Sequence, residues 1–146
     1  MTTIIGWFDR NHLIGIMTLI ILLSTYKAMK LFIGKESKAE DVKYLFTLCY
    51  PYLKIELFKK PSVLNVLDRK DLALVNRFES ISGSALIDID KNITVAHLEN
   101  DFALLGLKAE IFRRCGNVWV ETSLTESWTL HQQNLEGEEI SRQIFS

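Results

Sequence analysis

The sequence predicts an α+β domain with an antiparallel β-meander and two to three helices, preceded by one N-terminal helix that spans a membrane. Three observations predict it. An uncharged apolar run lies near the amino terminus, helical and strand periodicities follow it in mixed order, and prolines or small residues mark the breaks between them.

Residues 13–26 read LIGIMTLIILLSTY and carry no charge. That run alone is shorter than the roughly 20 residues a helix needs to cross a bilayer. Extension through KAMKLFIG gives a span over residues 12–33 and an anchor over 1–34. Leu13, Ile14, Ile16, Leu19, Ile20, Leu22 and Leu23 form its apolar body, and Lys27 and Lys30 sit near its end, where their ammonium groups reach the headgroups. Trp7 and Phe8, beside Asp9 and Arg10, supply an interfacial collar on the other side. Positive charge follows the apolar run instead of preceding it, which argues against a cleaved signal peptide. Lys27, Lys30, Lys35, Lys38 and Lys43 all lie on the C-terminal side, so the positive-inside rule places the following domain in the cytoplasm of a single-pass protein.

The expected body covers residues 35–134. Val42, Leu45, Phe46 and Cys49 recur at helical spacing, and Ser37 with Glu40 reads as a capping box, so residues 38–50 are expected to be helix, stopped by Pro51. Leu53, Ile55 and Leu57 alternate with Lys54 and Glu56, a half-buried strand ending at Lys59-Lys60-Pro61. Residues 62–81 show one helix or two short ones, closed by Ser82-Gly83-Ser84. Residues 85–90 and 93–96 read as a strand pair around the turn Asp90-Lys91-Asn92. Leu98, Phe102 and Leu105 predict a helix ending at Gly106, where a left-handed C-cap is wanted. Strands are expected at 109–114, 118–122 and 127–133, with a turn at Cys115-Gly116-Asn117; residues 135–146 read as a tail or short helix. No internal repeat is expected.

Composition narrows the chemistry. A net charge of −1 gives no surplus of Lys and Arg to meet a phosphate backbone, so no nucleic acid is expected. Cys49 and Cys115 are far apart and read as two small hydrophobes. No G-x-S-x-G, P-loop, G-x-G-x-x-G or HExxH occurs, so no catalytic residue and no cofactor is assigned. Asp88, Asp90, Asn92 and Glu99 place oxygen ligands at four positions of an EF-hand-like loop, but Ile93 stands where glycine makes the sharp turn, so a plain turn is preferred over a metal site. Asn92-Ile93-Thr94 also matches a glycosylation sequon, meaningful only in a eukaryotic lumen. Trp119 and Trp128, with Arg113 and Arg114, are the candidate partner surface, because Trp and Arg dominate interface hot spots.

These readings combine into an expected membrane-anchored accessory or assembly protein, in contact with lipid, whose cytoplasmic-side domain binds a protein partner within a membrane complex. Two alternatives use the same features: a small immunity-type protein neutralising a toxin at the membrane, and a membrane-bound enzyme or ligand sensor built on Asp88, Asp90 and Glu99.

Overall fold

The computed structural model describes residues 29–60, 74–79 and 81–145. Strand β1, Lys30–Gly34, leads into helix α1, Ala39–Cys49, and strand β2, Leu53–Lys59. Strand β3, Ser84–Asp88, is followed by helix α2, Val95–Leu104, strands β4, Leu107–Cys115, and β5, Val118–Glu121, a 3-10 turn at Ser123–Thr125, and helix α3, Leu130–Phe145. The fold is α+β with antiparallel sheets and three helices among the described residues.

Local sequence explains most of these elements. Val42, Leu45 and Phe46 bury one face of α1, and Pro51 ends it. The Tyr50 hydroxyl then donates to the Ile89 carbonyl at 2.6 Å, tying the end of α1 to the chain just beyond β3. In β2 the residues Leu53, Ile55 and Leu57 are buried while Lys54, Glu56 and Phe58 face outward, the period of two that a strand imposes. Gly106 and Gly116 take φ of 76° and 65°, closing α2 and the β4–β5 turn in a conformation that glycine adopts without steric cost.

The strands form two sheets, β1–β3 and β2–β4–β5, over one continuous core that includes Ile33, Phe46, Ile55, Ile87, Phe102 and Ile111. The two pairings share a symmetry. Phe32 faces Leu86 across β1–β3, Glu56 faces Glu110 across β2–β4, and the interval along the chain is the same in both pairs. The same interval carries β1 onto β3 and the start of β2 onto the start of β4, where LKIELFK is matched by LKAEIFR. The body is therefore a duplicated β-α-β unit folded about a pseudo-twofold axis, to which β5 and α3 are added. This corrects the expectation of no internal repeat.

Other expectations are corrected as well. The described strands form no meander, because among them only β4 and β5 are neighbours both in sequence and in a sheet. Residues 93–96 are no strand: the Thr94 hydroxyl accepts the His97 amide and starts α2, with Val95 and Ala96 in its first turn. Residues 127–133 are no strand either; Thr129 makes one isolated bridge to Thr94 and the chain then enters α3, a helix of 16 residues in place of a tail. Ser37 makes no capping box, since its hydroxyl accepts the Gly34 amide and Lys38 is the N-cap of α1. The expected helices at 62–81 fall largely on residues 61–73 and 80, outside the described residues; Val75, Phe78 and Ile81 are buried in the core.

The expected span over residues 12–33 lies mostly outside the described residues, as do Leu13, Ile14, Ile16, Leu19, Ile20, Leu22, Leu23 and Lys27. Its last part is corrected. Lys30 to Ile33 belong to β1, where Leu31 and Ile33 are buried in the domain core and Phe32 faces outward. Among the described residues no helix is long and apolar enough to cross a membrane.

Candidate interaction surface

The four candidate surface residues divide between two faces of the second sheet. Arg113 and Arg114 are neighbours on β4 and therefore point to opposite sides. Arg114 faces outward opposite Trp119 and is held by a bond from its Nε to the Gly116 carbonyl at 3.0 Å. On that outer face Lys54 places its ammonium 4.9 Å from the Phe112 ring centre and 5.3 Å from that of Trp119. Such cation–π contacts contribute about 0.5–1 kcal/mol at exposed sites. Trp119 keeps 39% of its surface exposed, Val118 and Val120 beside it are exposed, and Leu124 just beyond is 99% exposed.

Arg113 turns the other way, toward α3. Its Nη1 donates to Gln133 Oε1 at 2.9 Å, and its guanidinium lies 5.7 Å from the Trp128 ring centre. Gln133 is fully buried and completes the junction by donating from Nε2 to the Thr125 carbonyl and hydroxyl at 2.8 and 2.7 Å. Gly137 allows the close approach of α3 here: a Cβ at that position would stand 3.0 Å from both Arg113 Cγ and Tyr52 Cβ. At the far end of α3 the Ser141 hydroxyl accepts the Gly116 amide at 3.0 Å, joining the helix to the β4–β5 turn. Trp119 and Trp128 are thus linked through one hairpin and one helix without sharing a face.

The acidic residues of the loop after β3 are used locally. Asp88 Oδ1 accepts the Asp90 amide at 2.9 Å, and Asp90 Oδ1 accepts the Asn92 amide at 3.1 Å, successive Asx turns that lead the chain into α2. Asn92 is exposed on this turn. Glu99 does not join them. It lies where β5 ends and the Ile111 amide donates to it, and burial, with Glu126, Glu110 and Glu121 nearby, pushes its carboxyl up to about 7. Among the described residues no group of three or more His, Cys, Asp or Glu is placed to hold a metal ion.

His97 stands in the first turn of α2 with Nε2 3.5 Å from Asp101 Oδ2, and His131 is exposed in the first turn of α3, not on a strand. Cys49 and Cys115 are half-buried free thiols, and burial raises the Cys49 pKa. Sequence reading missed Gln133 as the centre of the α3 junction and missed Leu135 and Glu139 as surface residues of a helix. The helical spacing of Leu130, Gln133, Gly137 and Ser141 was the signal, obscured because Gln133 and Ser141 are polar and Gly137 has no side chain. Comparison with protein-family models, curated proteins and solved structures finds no match for this chain.

Proposed function

We propose that the protein is a membrane-anchored accessory or assembly factor whose small α+β domain binds a protein partner on the cytoplasmic side. The observation that carries this reading is the β4–β5 hairpin. Val118, Trp119 and Val120 are exposed on successive residues of a strand that pairs only with β4 among the described residues. An apolar strand edge of this kind is a ready template for a partner and is blunted where it has none.

Anchoring rests on the apolar run and on the lysines that follow it. With Met29 and Lys30 inside the domain, residues 12–28 are left for the span, at the short end of the roughly 17–25 residues a crossing helix uses. The Met29 carbonyl accepts the Ile89 amide at 2.8 Å, so the described domain begins three residues after Tyr26, the last residue of the apolar run, which supports a domain held close to the membrane. Purification of the full chain in mild detergent is expected to retain a stable protein partner, and Trp119→Ser with Val120→Ser to release it. A chain that purifies alone under several mild detergents contradicts the reading.

A further inference from the structure

We propose that the outer side of α3 docks a lysine- and arginine-rich juxtamembrane segment of a membrane-protein partner, an inference that rests on the membrane reading above. Helix α3 begins beside the point where the chain enters the domain. The Ile89 amide donates to the Met29 carbonyl, and two residues on the Lys91 carbonyl accepts the His131 amide at 3.2 Å. The Ile93 carbonyl accepts the Leu130 amide at 2.8 Å. The start of the helix is thereby fixed at the end of the domain where Met29 lies.

One side of α3 is used for packing: Leu130, Gln133, Gly137 and Ser141 are buried. The opposite stripe, Gln132, Leu135, Glu139 and Arg142, is exposed, and an open groove runs along it between Trp128, Leu135, Glu136 and Glu139. Leu135 leaves 48% of its surface uncovered. Glu138 is paired with Arg142 one turn on, while Glu136 and Glu139 border the groove. The result is an apolar floor with an acidic rim.

Charge decides the occupant. Anionic headgroups are repelled by Glu136 and Glu139, and a second copy of α3 brings the same carboxylates face to face. A basic amphipathic segment suits the groove, setting its apolar side chains on Leu135 and Trp128 and its cations on the rim. The positive-inside rule that places this domain on the side of Lys27 also places the lysines and arginines of a membrane partner on the same side of the bilayer.

The test uses the full chain in zwitterionic nanodiscs, with a labelled amphipathic Leu/Lys peptide as probe and its Leu/Glu counterpart as control. Binding of the Leu/Lys peptide alone is expected, with hydrogen-exchange protection confined to residues 128–143. Leu135→Ser with Glu139→Lys is expected to weaken it about tenfold or more, and Glu136→Gln with Glu139→Gln to weaken it in the same sense without threatening the fold. Glu40→Lys with Asp41→Lys on α1 is expected to leave it within about twofold. Equal losses in the α1 and α3 variants, protection centred on β5, or no binding overturns the proposal. Fractionation of the same chain separates the two ideas: a soluble chain that still binds through Leu135 overturns the membrane reading, and with it the juxtamembrane identity of the partner, but not the basic-segment surface.

Discussion

Glu56 and Glu110 stand directly opposite each other across the β2–β4 ladder, at the pseudo-twofold axis of the duplicated unit. Like charges in that position destabilise a sheet unless they are compensated. Lys43 reaches Glu56 at 2.6 Å from α1, and Lys108 reaches Glu110 at 2.7 Å along its own strand. Lys43→Met is therefore expected to lose about 1 kcal/mol of stability, and Lys43→Met combined with Glu56→Gln to recover most of it, as measured by urea denaturation in a double-mutant cycle. Additive losses show that the pair is not coupled.

Gly137→Ala tests how closely α3 lies on the sheet. In an exposed helix this change stabilises by about 1 kcal/mol, because alanine is the better helix former. Here the new Cβ meets Arg113 Cγ and Tyr52 Cβ at 3.0 Å and the Arg114 carbonyl at 3.1 Å. A net loss of about 1–2 kcal/mol in chemical denaturation is expected, since crowding outweighs propensity. A gain means that α3 does not dock at this point.

Gln133→Leu removes the hydrogen bonds to Thr125 and the acceptor for Arg113, whose buried Nε already has no hydrogen-bond partner among the described residues. A loss of about 2–4 kcal/mol is expected, dominated by the polar groups left behind. Gln133→Glu, which retains an acceptor facing Arg113, is expected to lose less. Thermal melts of both variants at pH 7 provide the comparison.

The Glu99 carboxyl titrates in the fold at about 7, above its ordinary value of 4.5, chiefly because of burial and then because of the neighbouring carboxylates. The protonated form is the one the fold favours, so its contribution to stability is complete below about pH 4.5 and is lost as pH rises through 7. Glu99→Gln is expected to match the parent near pH 4.5 and to exceed it at pH 8 by on the order of 1 kcal/mol after solvent screening. Parallel stability curves from pH 4 to 8 contradict this assignment.

What was legible in the sequence was the part fixed by local chemistry. The stripe of Val42, Leu45 and Phe46, the stop at Pro51, the alternation of Leu53, Ile55 and Leu57, the left-handed Gly106 and the turn at Cys115-Gly116-Asn117 all stand in the structure. The failures lie where a short run fits two periods. Residues 93–96 resemble a strand until Thr94 accepts the His97 amide, and β1 was hidden because Leu31, Phe32 and Ile33 continue the preceding apolar run. The repeat is faint in the sequence because its resemblance is concentrated in LKIELFK and LKAEIFR, whereas the register that exposes it exists only once the strands pair. The candidate surface was half legible: Trp119 and Arg114 do share the outer face, but adjacency in sequence sends Arg113 to the opposite side, where Gln133 meets it.

Membrane fractionation with protease protection, on a chain tagged after Ser146, decides whether the domain is anchored and on which side it lies. An anchored protein leaves the membrane only with detergent, and its tag is digested by protease added on the cytoplasmic side. Recovery in the soluble fraction without detergent, or a tag accessible only from the opposite side, contradicts it.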